Sequence, residues 1–252
     1  MDLSIEIKRK LFHYLSLVYL LIYAVCPREW TIGLLWAALV LLSATEFLRL
    51  RRPELNAWFL KKFGGLHRPA EIMAPSGIFW TLMGCCLLMA LLMDKNIVMA
   101  ALGMLAFGDT AAAMWGRRRG KRAWVFKPIS EDSSPLAWAK FWRIPANHSK
   151  TLEGSGAFAV MSFLWISLFL RPHVALLGAL AGAWVESRQT EWDDNFWIPV
   201  GGGLLLAVIS LLLAGGAGQT LHLWQKIGIA VYLAGALSGL WWLSRSTDEG
   251  TV

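Results

Sequence analysis

Charged residues are scarce in this chain: Asp, Glu, Lys and Arg make up 16% of its 252 residues, against about 25% in soluble domains. A fraction this low, together with the long apolar runs, excludes a soluble enzyme and a disordered chain. Cysteine is scarce too, and Cys26, Cys85 and Cys86 lie in apolar segments without metal-ligand or disulfide spacing. A disulfide-stabilised scaffold is therefore also excluded.

Apolar sequence is abundant, at 56% of residues with 15 Trp and 12 Phe. It comes in blocks of about 15–20 residues, close to the length that crosses a bilayer as a helix. We predict an all-α, polytopic membrane helix bundle of about eight transmembrane helices, forming a single integral membrane domain over residues 1–252. The predicted spans are 11–27, 30–48, 75–93, 96–115, 152–170, 173–187, 197–214 and 224–243.

The positions of the basic residues predict the orientation. Most of the 24 Lys and Arg residues lie near the N-terminus or in the loops 49–74, 116–151 and 188–196. Because basic loops stay in the cytoplasm, we expect both termini and these loops there, in the inner membrane if the source is bacterial. The charged start without a small-residue cleavage site predicts that no signal peptide is removed.

The net charge of +7 then faces the cytoplasm, where it favours anionic headgroups or a nucleotide as partners. Nucleic acid is a poor candidate, because the aromatic residues lie in the spans rather than among the basic ones. The sequence makes no prediction of the oligomeric state.

Four acidic residues lie within or at the ends of predicted spans: Glu46, Asp109, Glu153 and Glu186. Placing a carboxylate in a membrane is costly, so each of them is a candidate functional residue. In the predicted topology all four lie at cytoplasmic ends, whereas charges kept only for structure would scatter over both faces. This convergence predicts a site that is open to cytoplasmic solutes and to lipid.

The first candidate motif surrounds Asp109. Asp109, Ala112 and Gly116 share one helix face, and the small residues leave room for a ligand beside the carboxylate. Arginines follow at positions 117–119, so Asp109 could hold Mg²⁺ while Arg117 holds a polyphosphate. The alternative is an ion pair between Asp109 and one of these arginines that serves structure alone.

The second motif opens the fifth predicted span with Lys150, Thr151 and Glu153. A lysine and hydroxyl groups at a helix N-terminus bind anions, which predicts that Lys150 and Thr151 contact a nucleotide. The alternative is a capping Thr151 beside a lysine that reaches for water, which explains everything except Glu153. Glu153 is a candidate for orienting or deprotonating an acceptor hydroxyl.

The third motif combines Glu186 with Asp193, Asp194 and Asn195. Three carboxylates and an amide within ten residues offer the hard oxygen ligands that Mg²⁺ prefers. The alternative is a solvated acidic turn, which leaves unexplained why Glu186 lies at the end of a span.

The fourth motif is Arg9, Lys10 and His13, which share a face where the first helix enters the membrane. Basic residues flank most spans, so only His13, inside the apolar run, suggests a functional role. Two secondary candidates are a buried pair between Glu46 and Arg49, and Glu71 just before the start of the third span.

Together these motifs resemble the membrane family of phytol kinases, dolichol kinases and CTP-dependent diacylglycerol kinases. The resemblance runs through residues 9–199, about four-fifths of the chain. The motifs around Asp109 and Lys150 also occur in the CDP-diacylglycerol synthases, but the C-terminal signature of those synthases is not present here. The loop at 121–149 departs from the pattern, because it is longer and carries Trp and Phe among Lys and Arg.

The resemblance implies transfer of the γ-phosphate of a nucleoside triphosphate, with CTP as donor, to a lipid alcohol. The acceptor is an isoprenoid alcohol of the phytol, polyprenol or dolichol type, or diacylglycerol. The residues assigned to catalysis are Asp109, Glu153, Glu186 and His13. Those assigned to the nucleotide phosphates are Lys150, Thr151, Arg117, Gly116, Arg9 and Lys10. Those assigned to Mg²⁺ are Asp109, Asp193, Asp194 and Asn195.

Two alternatives stay open at this point. A CTP:phosphatidate cytidylyltransferase would use the same nucleotide and Mg²⁺ motifs but would transfer a different phosphate. A small membrane transporter would use the intramembrane acids as ion sites, although it would be expected to carry polar groups near the bilayer midplane.

Overall fold

The computed structural model describes residues 15–63, 69–122, 150–188 and 193–214, and every element among them is helical. The helices are α1 (Leu15–Val25), α2 (Arg28–Arg51), α3 (Pro53–Phe63), α4 (Gly77–Leu91), α5 (Lys95–Gly103), α6 (Thr110–Arg119), α7 (Leu152–Ile166), α8 (Pro172–Glu186), α9 (Asp194–Trp197) and α10 (Gly203–Ala214). A 3₁₀ turn covers Pro69–Ile72, and π-helical segments at Met104–Asp109 and Ile198–Gly202 join α5 to α6 and α9 to α10. The all-α prediction is confirmed for this part of the chain.

Each predicted span that falls on described residues coincides with a helix. Three continuous helices are long and apolar enough to cross a membrane: Arg28–Arg51, Lys95–Arg119 and Asp194–Leu213. The apolar helices α4 and α7 are shorter. The last predicted span, 224–243, and most of the loop 121–149 lie outside the described residues. These features agree with an integral membrane helix bundle.

The helix that runs through α5, its π segment and α6 forms the centre of the bundle. Every residue from 96 to 110 is buried, and α1, α7 and α10 pack around it. By contrast, α2 exposes large apolar side chains such as Leu34, Val40 and Leu41 along its length. An apolar outer surface around a buried helix is what a bilayer stabilises and water does not.

Hydrogen bonds between helix ends show which ends lie together at each end of the bundle. At one end Arg28 Nη2 donates to the carbonyl oxygen of Met89 at 2.6 Å, and Lys95 Nζ donates to that of Ala24 at 3.0 Å. At the other end the start of α9 contacts the start of α4, where Asn195 Nδ2 donates to the carbonyl oxygen of Gly77 at 3.4 Å. The described candidate residues lie at this second end.

Candidate active site

Lys150 lies at the centre of a buried group of charges. Its Nζ donates to Glu186 Oε1 at 2.7 Å and lies 3.0 Å from Asp194 Oδ2. Ser155 Oγ donates to the second oxygen of Glu186, Oε2, at 2.9 Å. Lys150 precedes α7, Glu186 ends α8 and Asp194 begins α9. Folding therefore brings together predicted site residues that are up to 44 positions apart in the sequence.

Electrostatics keep this lysine charged. Burial disfavours its ammonium, but the carboxylates of Asp194, Glu186 and Asp109 more than offset that cost and raise the pKa of Lys150 above its usual value. The Glu186 side chain is only 2% exposed, whereas that of Lys150 is 18% exposed. The site thus holds a positioned cation whose side chain stays partly exposed, which suits a phosphate group.

Asp109 belongs to the same group of charges. It is buried at the end of the π segment Met104–Asp109, and its carboxylate acts electrostatically on Lys150. A π segment carries one more residue in its turn than an α-helix, and such turns are frequent at functional sites. The helix period in the sequence gave no sign of it.

The side chains of Asp193, Asp194 and Asn195 contact three different parts of the structure. Asp193 Oδ1 accepts from the backbone N–H of Asn195 at 2.9 Å and so caps α9. Asp194 faces Lys150, and Asn195 extends toward Gly77 at the start of α4. Among the residues that the structure describes, no three His, Cys, Asp or Glu side chains are close enough to hold a metal by themselves.

Glu153 lies outside the group around Lys150. Its Oε2 accepts from the backbone N–H groups of Lys121 and Arg122 at 3.2 and 3.3 Å. The backbone N–H of Leu152 in turn donates to the carbonyl oxygen of Arg122 at 2.9 Å. Glu153 therefore fixes the segment that follows α6, and its role toward an acceptor hydroxyl stays a prediction.

Gly116 and Thr151 meet where α6 crosses α7. Thr151 Oγ1 accepts from the backbone N–H of Gly154 at 3.1 Å and caps α7. A Cβ on Gly116 would lie 3.0 Å from that hydroxyl oxygen, and a Cβ on Gly154 would lie 3.0 Å from the carbonyl oxygen of Ala112. Arg117 is exposed one residue further along α6. Contact of these residues with a nucleotide stays a prediction.

The fourth motif, Arg9, Lys10 and His13, lies outside the described residues.

A second buried polar cluster lies beside the site and is organised by Arg49. Its Nη2 donates to Glu46 Oε2 at 2.6 Å and to the carbonyl oxygen of Ala74 at 2.7 Å. Its Nη1 donates to Asn56 Oδ1 at 2.9 Å and to the carbonyl oxygen of Glu71 at 3.3 Å. The predicted pair between Glu46 and Arg49 is confirmed, but the part played by Asn56 was not predicted, since nothing in its local sequence marks it.

Comparison of the sequence with characterised proteins identifies two relatives that share one name. Over 222 residues the chain is 26% identical to CTP-dependent diacylglycerol kinase 1 of Saccharomyces cerevisiae, covering 81% of this chain and 73% of that protein. The chain is similar to a CTP-dependent diacylglycerol kinase. A second relative of the same name, from Eremothecium gossypii, is 26% identical over 173 residues, covering 62% of this chain and 51% of that protein. No family model matches the chain, and no solved structure matches it significantly.

The similarity to CTP-dependent diacylglycerol kinases confirms the resemblance drawn from the motifs. It extends over most of the chain and is therefore not limited to a short shared motif.

Proposed function

We propose that this protein is a membrane lipid kinase that transfers the γ-phosphate of CTP to the hydroxyl group of diacylglycerol. The observation that carries the proposal is the Lys150 ammonium, held by Glu186 and Asp194 from two further elements and flanked by Asp109. The names of the two relatives favour CTP as donor and diacylglycerol as acceptor. An isoprenoid alcohol is the second acceptor class, supported by the motif resemblance alone.

Phosphoryl transfer depends mainly on alignment and on neutralising the charge of the phosphates. Lys150 is suited to binding the β- and γ-phosphates, because Glu186 and Asp194 fix its ammonium in place. Arg117, exposed at the end of α6, supplies a second cation for the polyphosphate. The lipid oxygen forms the new bond to the γ-phosphorus while the bond to the β-phosphate oxygen breaks, and CDP leaves.

The hydroxyl proton of the lipid must go to a base. Glu186, Glu153 and His13 are the groups that the sequence offers for this role. Of the two whose side chains are described, Glu186 lies in the buried group with Lys150, whereas Glu153 binds backbone N–H groups near Lys121. This difference favours Glu186 for orienting or deprotonating the hydroxyl.

The donor set suits a Mg²⁺ ion that arrives with the nucleotide. Mg²⁺ in nucleotide sites is usually held by one or two carboxylates, with phosphate oxygens and waters completing its shell. Asp109 and Asp194 offer two carboxylates whose charges both act on Lys150, and Asp193 and Asn195 adjoin Asp194 in the chain. The ion would neutralise phosphate charge, and these residues would position it.

The test uses CTP labelled at either the α or the γ phosphate, with Mg²⁺ and detergent-purified protein. The acceptors are diacylglycerol, phytol, polyprenol and phosphatidic acid, and the extracted lipid is examined for label. We expect label in diacylglycerol from the γ position alone. Label from the α position in phosphatidic acid would instead identify a cytidylyltransferase, and no label in any lipid would contradict the proposal.

The matched control replaces two aspartates at opposite ends of the bundle. Asp109→Asn should lose all detectable transfer while the protein stays folded, because the substitution removes the charge and keeps the shape. Asp94→Asn makes the same change at the N-cap of α5, where Asn also caps well, and should keep full activity. Full activity of the Asp109→Asn variant would rule out the site.

A further inference from the structure

We infer that α3 and the end of α2 form a binding surface for the anionic phospholipids of the bilayer. This surface, here called the headgroup patch, combines exposed apolar and exposed basic side chains: Leu55, Trp58, Arg51, Arg52, Lys61 and Lys62. The proposed reaction uses none of these residues. The headgroup patch is therefore a second lipid-binding site, separate from the group of charges around Lys150.

The position of α2 places the headgroup patch at the boundary of the bilayer. α2 is long and apolar enough to cross a membrane, and it exposes apolar side chains such as Val40 and Leu41. At the α-helical rise its 24 residues extend about 36 Å, which exceeds a hydrocarbon core of about 30 Å. The helix ends at Arg51, and α3 begins at Pro53. α3 therefore begins at the level of the lipid headgroups.

A buried side chain holds α3 at that level. Asn56 of α3 is only 9% exposed. Its Oδ1 accepts from Arg49 Nη1 at 2.9 Å, and its Nδ2 donates to the carbonyl oxygen of Ile72 at 2.9 Å. Arg49 belongs to the last turns of α2, and Ile72 precedes α4. One face of α3 is thus fixed against the end of the bundle, and its other faces stay exposed.

The exposed part of α3 has the side chains that concentrate at a membrane interface. Trp58 is 52% and Leu55 is 36% exposed, and residues three positions apart share one helix face. Lys62 Nζ lies 5.0 Å from the centroid of the Trp58 ring, and the guanidinium carbon of Arg51 lies 4.3 Å from that of Phe47. In such pairs the ring meets the apolar boundary while the cation reaches the headgroups.

The charge of the headgroup patch favours anionic lipid. Residues 51–62 contain four basic side chains and one acidic side chain, Glu54, and all five are exposed. The patch lies at the end of the bundle that carries the site, where the basic-residue distribution predicts the cytoplasmic leaflet. That leaflet carries the anionic phospholipids, and each Lys or Arg near its surface strengthens the attraction. The ligand that fits is therefore a negatively charged phosphodiester headgroup.

The test measures which lipid surrounds α3 in the full chain. Leu55→Cys, in a background with Cys26→Ser, is labelled with a bimane fluorophore and reconstituted without nucleotide into equimolar phosphatidylcholine and phosphatidylglycerol. Bromine atoms on the acyl chains of one lipid or the other quench the fluorophore on contact. We expect brominated phosphatidylglycerol to quench roughly threefold more strongly than brominated phosphatidylcholine, because four cations attract its headgroup.

The control position for the label is Leu41→Cys in the apolar middle of α2, where both brominated lipids should quench equally. The control for charge is Arg171→Gln, which removes an exposed cation at the opposite end of the bundle and should leave the ratio at Leu55 unchanged.

The variants of the headgroup patch change its charge in both directions. Lys61→Gln with Lys62→Gln removes two of the four cations and should lower the ratio at Leu55 by about half. Adding Arg51→Gln and Arg52→Gln should bring the ratio down to the value at Leu41. Glu54→Gln removes the acidic side chain from the same surface and should raise the ratio. Each substituted side chain is exposed.

Three results would overturn the inference. Equal quenching at Leu55 by the two lipids would show that α3 does not select by charge. Absence of quenching by either lipid would show that protein, from this chain or a second copy, covers α3. A high ratio that survives the loss of all four cations would place the selection elsewhere. Because the assay contains no nucleotide, its outcome is independent of whether the protein transfers phosphate from CTP.

Discussion

Lys150 supplies the positive charge that balances the carboxylates of the site. Lys150→Met leaves the buried Glu186 and the neighbouring Asp194 without their cation, and removing one partner of a buried pair costs about 3 kcal/mol or more. We expect a lower melting temperature and at least a hundredfold loss of CTP turnover. Lys150→Arg keeps the charge and should recover the stability.

The double variant Lys150→Met with Glu186→Gln separates the structural role from the functional one. Neutralising the stranded carboxylate should restore much of the melting temperature without restoring turnover, because the phosphates still lack their cation and the proposed base is no longer a carboxylate. Turnover in this double variant at the wild-type rate would show that Lys150 serves only the fold.

The pH dependence follows from the raised pKa of Lys150. A group whose pKa is higher in the folded state contributes its full stability below the unfolded value, and loses it as the pH rises through the folded value. The usual lysine value is about 10.4, so the difference in stability between wild type and Lys150→Met should stay constant from about pH 7 to pH 9. Denaturation at several pH values in this range would reveal any decline.

At the scale of elements, the crossing of α6 and α7 sets the geometry of the site, because α7 begins next to Lys150. Gly154→Ala would bring a methyl group to 3.0 Å from the backbone oxygen of Ala112 and 3.3 Å from Gly116 Cα. We expect a loss of about 1–3 kcal/mol in the free energy of unfolding and a raised KM for CTP.

Gly156→Ala in the same helix is the matched control for Gly154→Ala. A Cβ at this position meets nothing within 4 Å, so alanine should leave stability unchanged or raise it by up to about 1 kcal/mol. Equal melting temperatures for the two variants would show that the crossing tolerates a wider spacing than the structure indicates.

For the whole molecule, the predicted orientation can be tested with a native cysteine. Cys26 is partly exposed in the turn between α1 and α2, whereas Cys85 and Cys86 are buried. The basic-residue distribution predicts that this turn faces away from the cytoplasm. A membrane-impermeant maleimide should therefore label Cys26 in intact cells, and Cys26→Ser should remove the label.

A reporter at the other end of the bundle completes this test. Arg118→Cys, in a background with Cys26→Ser, places an exposed thiol near the site. It should react only after the membrane is permeabilised. The opposite pattern of labelling would reverse the predicted orientation and move the site to the other side.

The sequence by itself determined the helices and the class of protein. Blocks of apolar residues specify spans because a bilayer leaves no other partner for the backbone polar groups, so α2, α4 and α7 lie where the hydropathy predicts them. The acidic residues of those spans were recognisable as candidates because their burial in a membrane is costly. The family resemblance, too, was visible in the motifs around Asp109 and Lys150 together with Glu186 and Asp193–Asn195.

Only the tertiary structure decided which of these residues meet. Lys150 and Glu186 are 36 positions apart, and Asn195 and Gly77 are 118 apart, distances at which no local pattern predicts a contact. Glu153 lies only three positions after Lys150, yet its carboxylate binds the backbone N–H groups of Lys121 and Arg122 that follow α6. The physical reason is that hydropathy fixes where a helix lies along the chain, whereas side-chain packing between helices fixes its rotation and thereby the direction in which each polar group points.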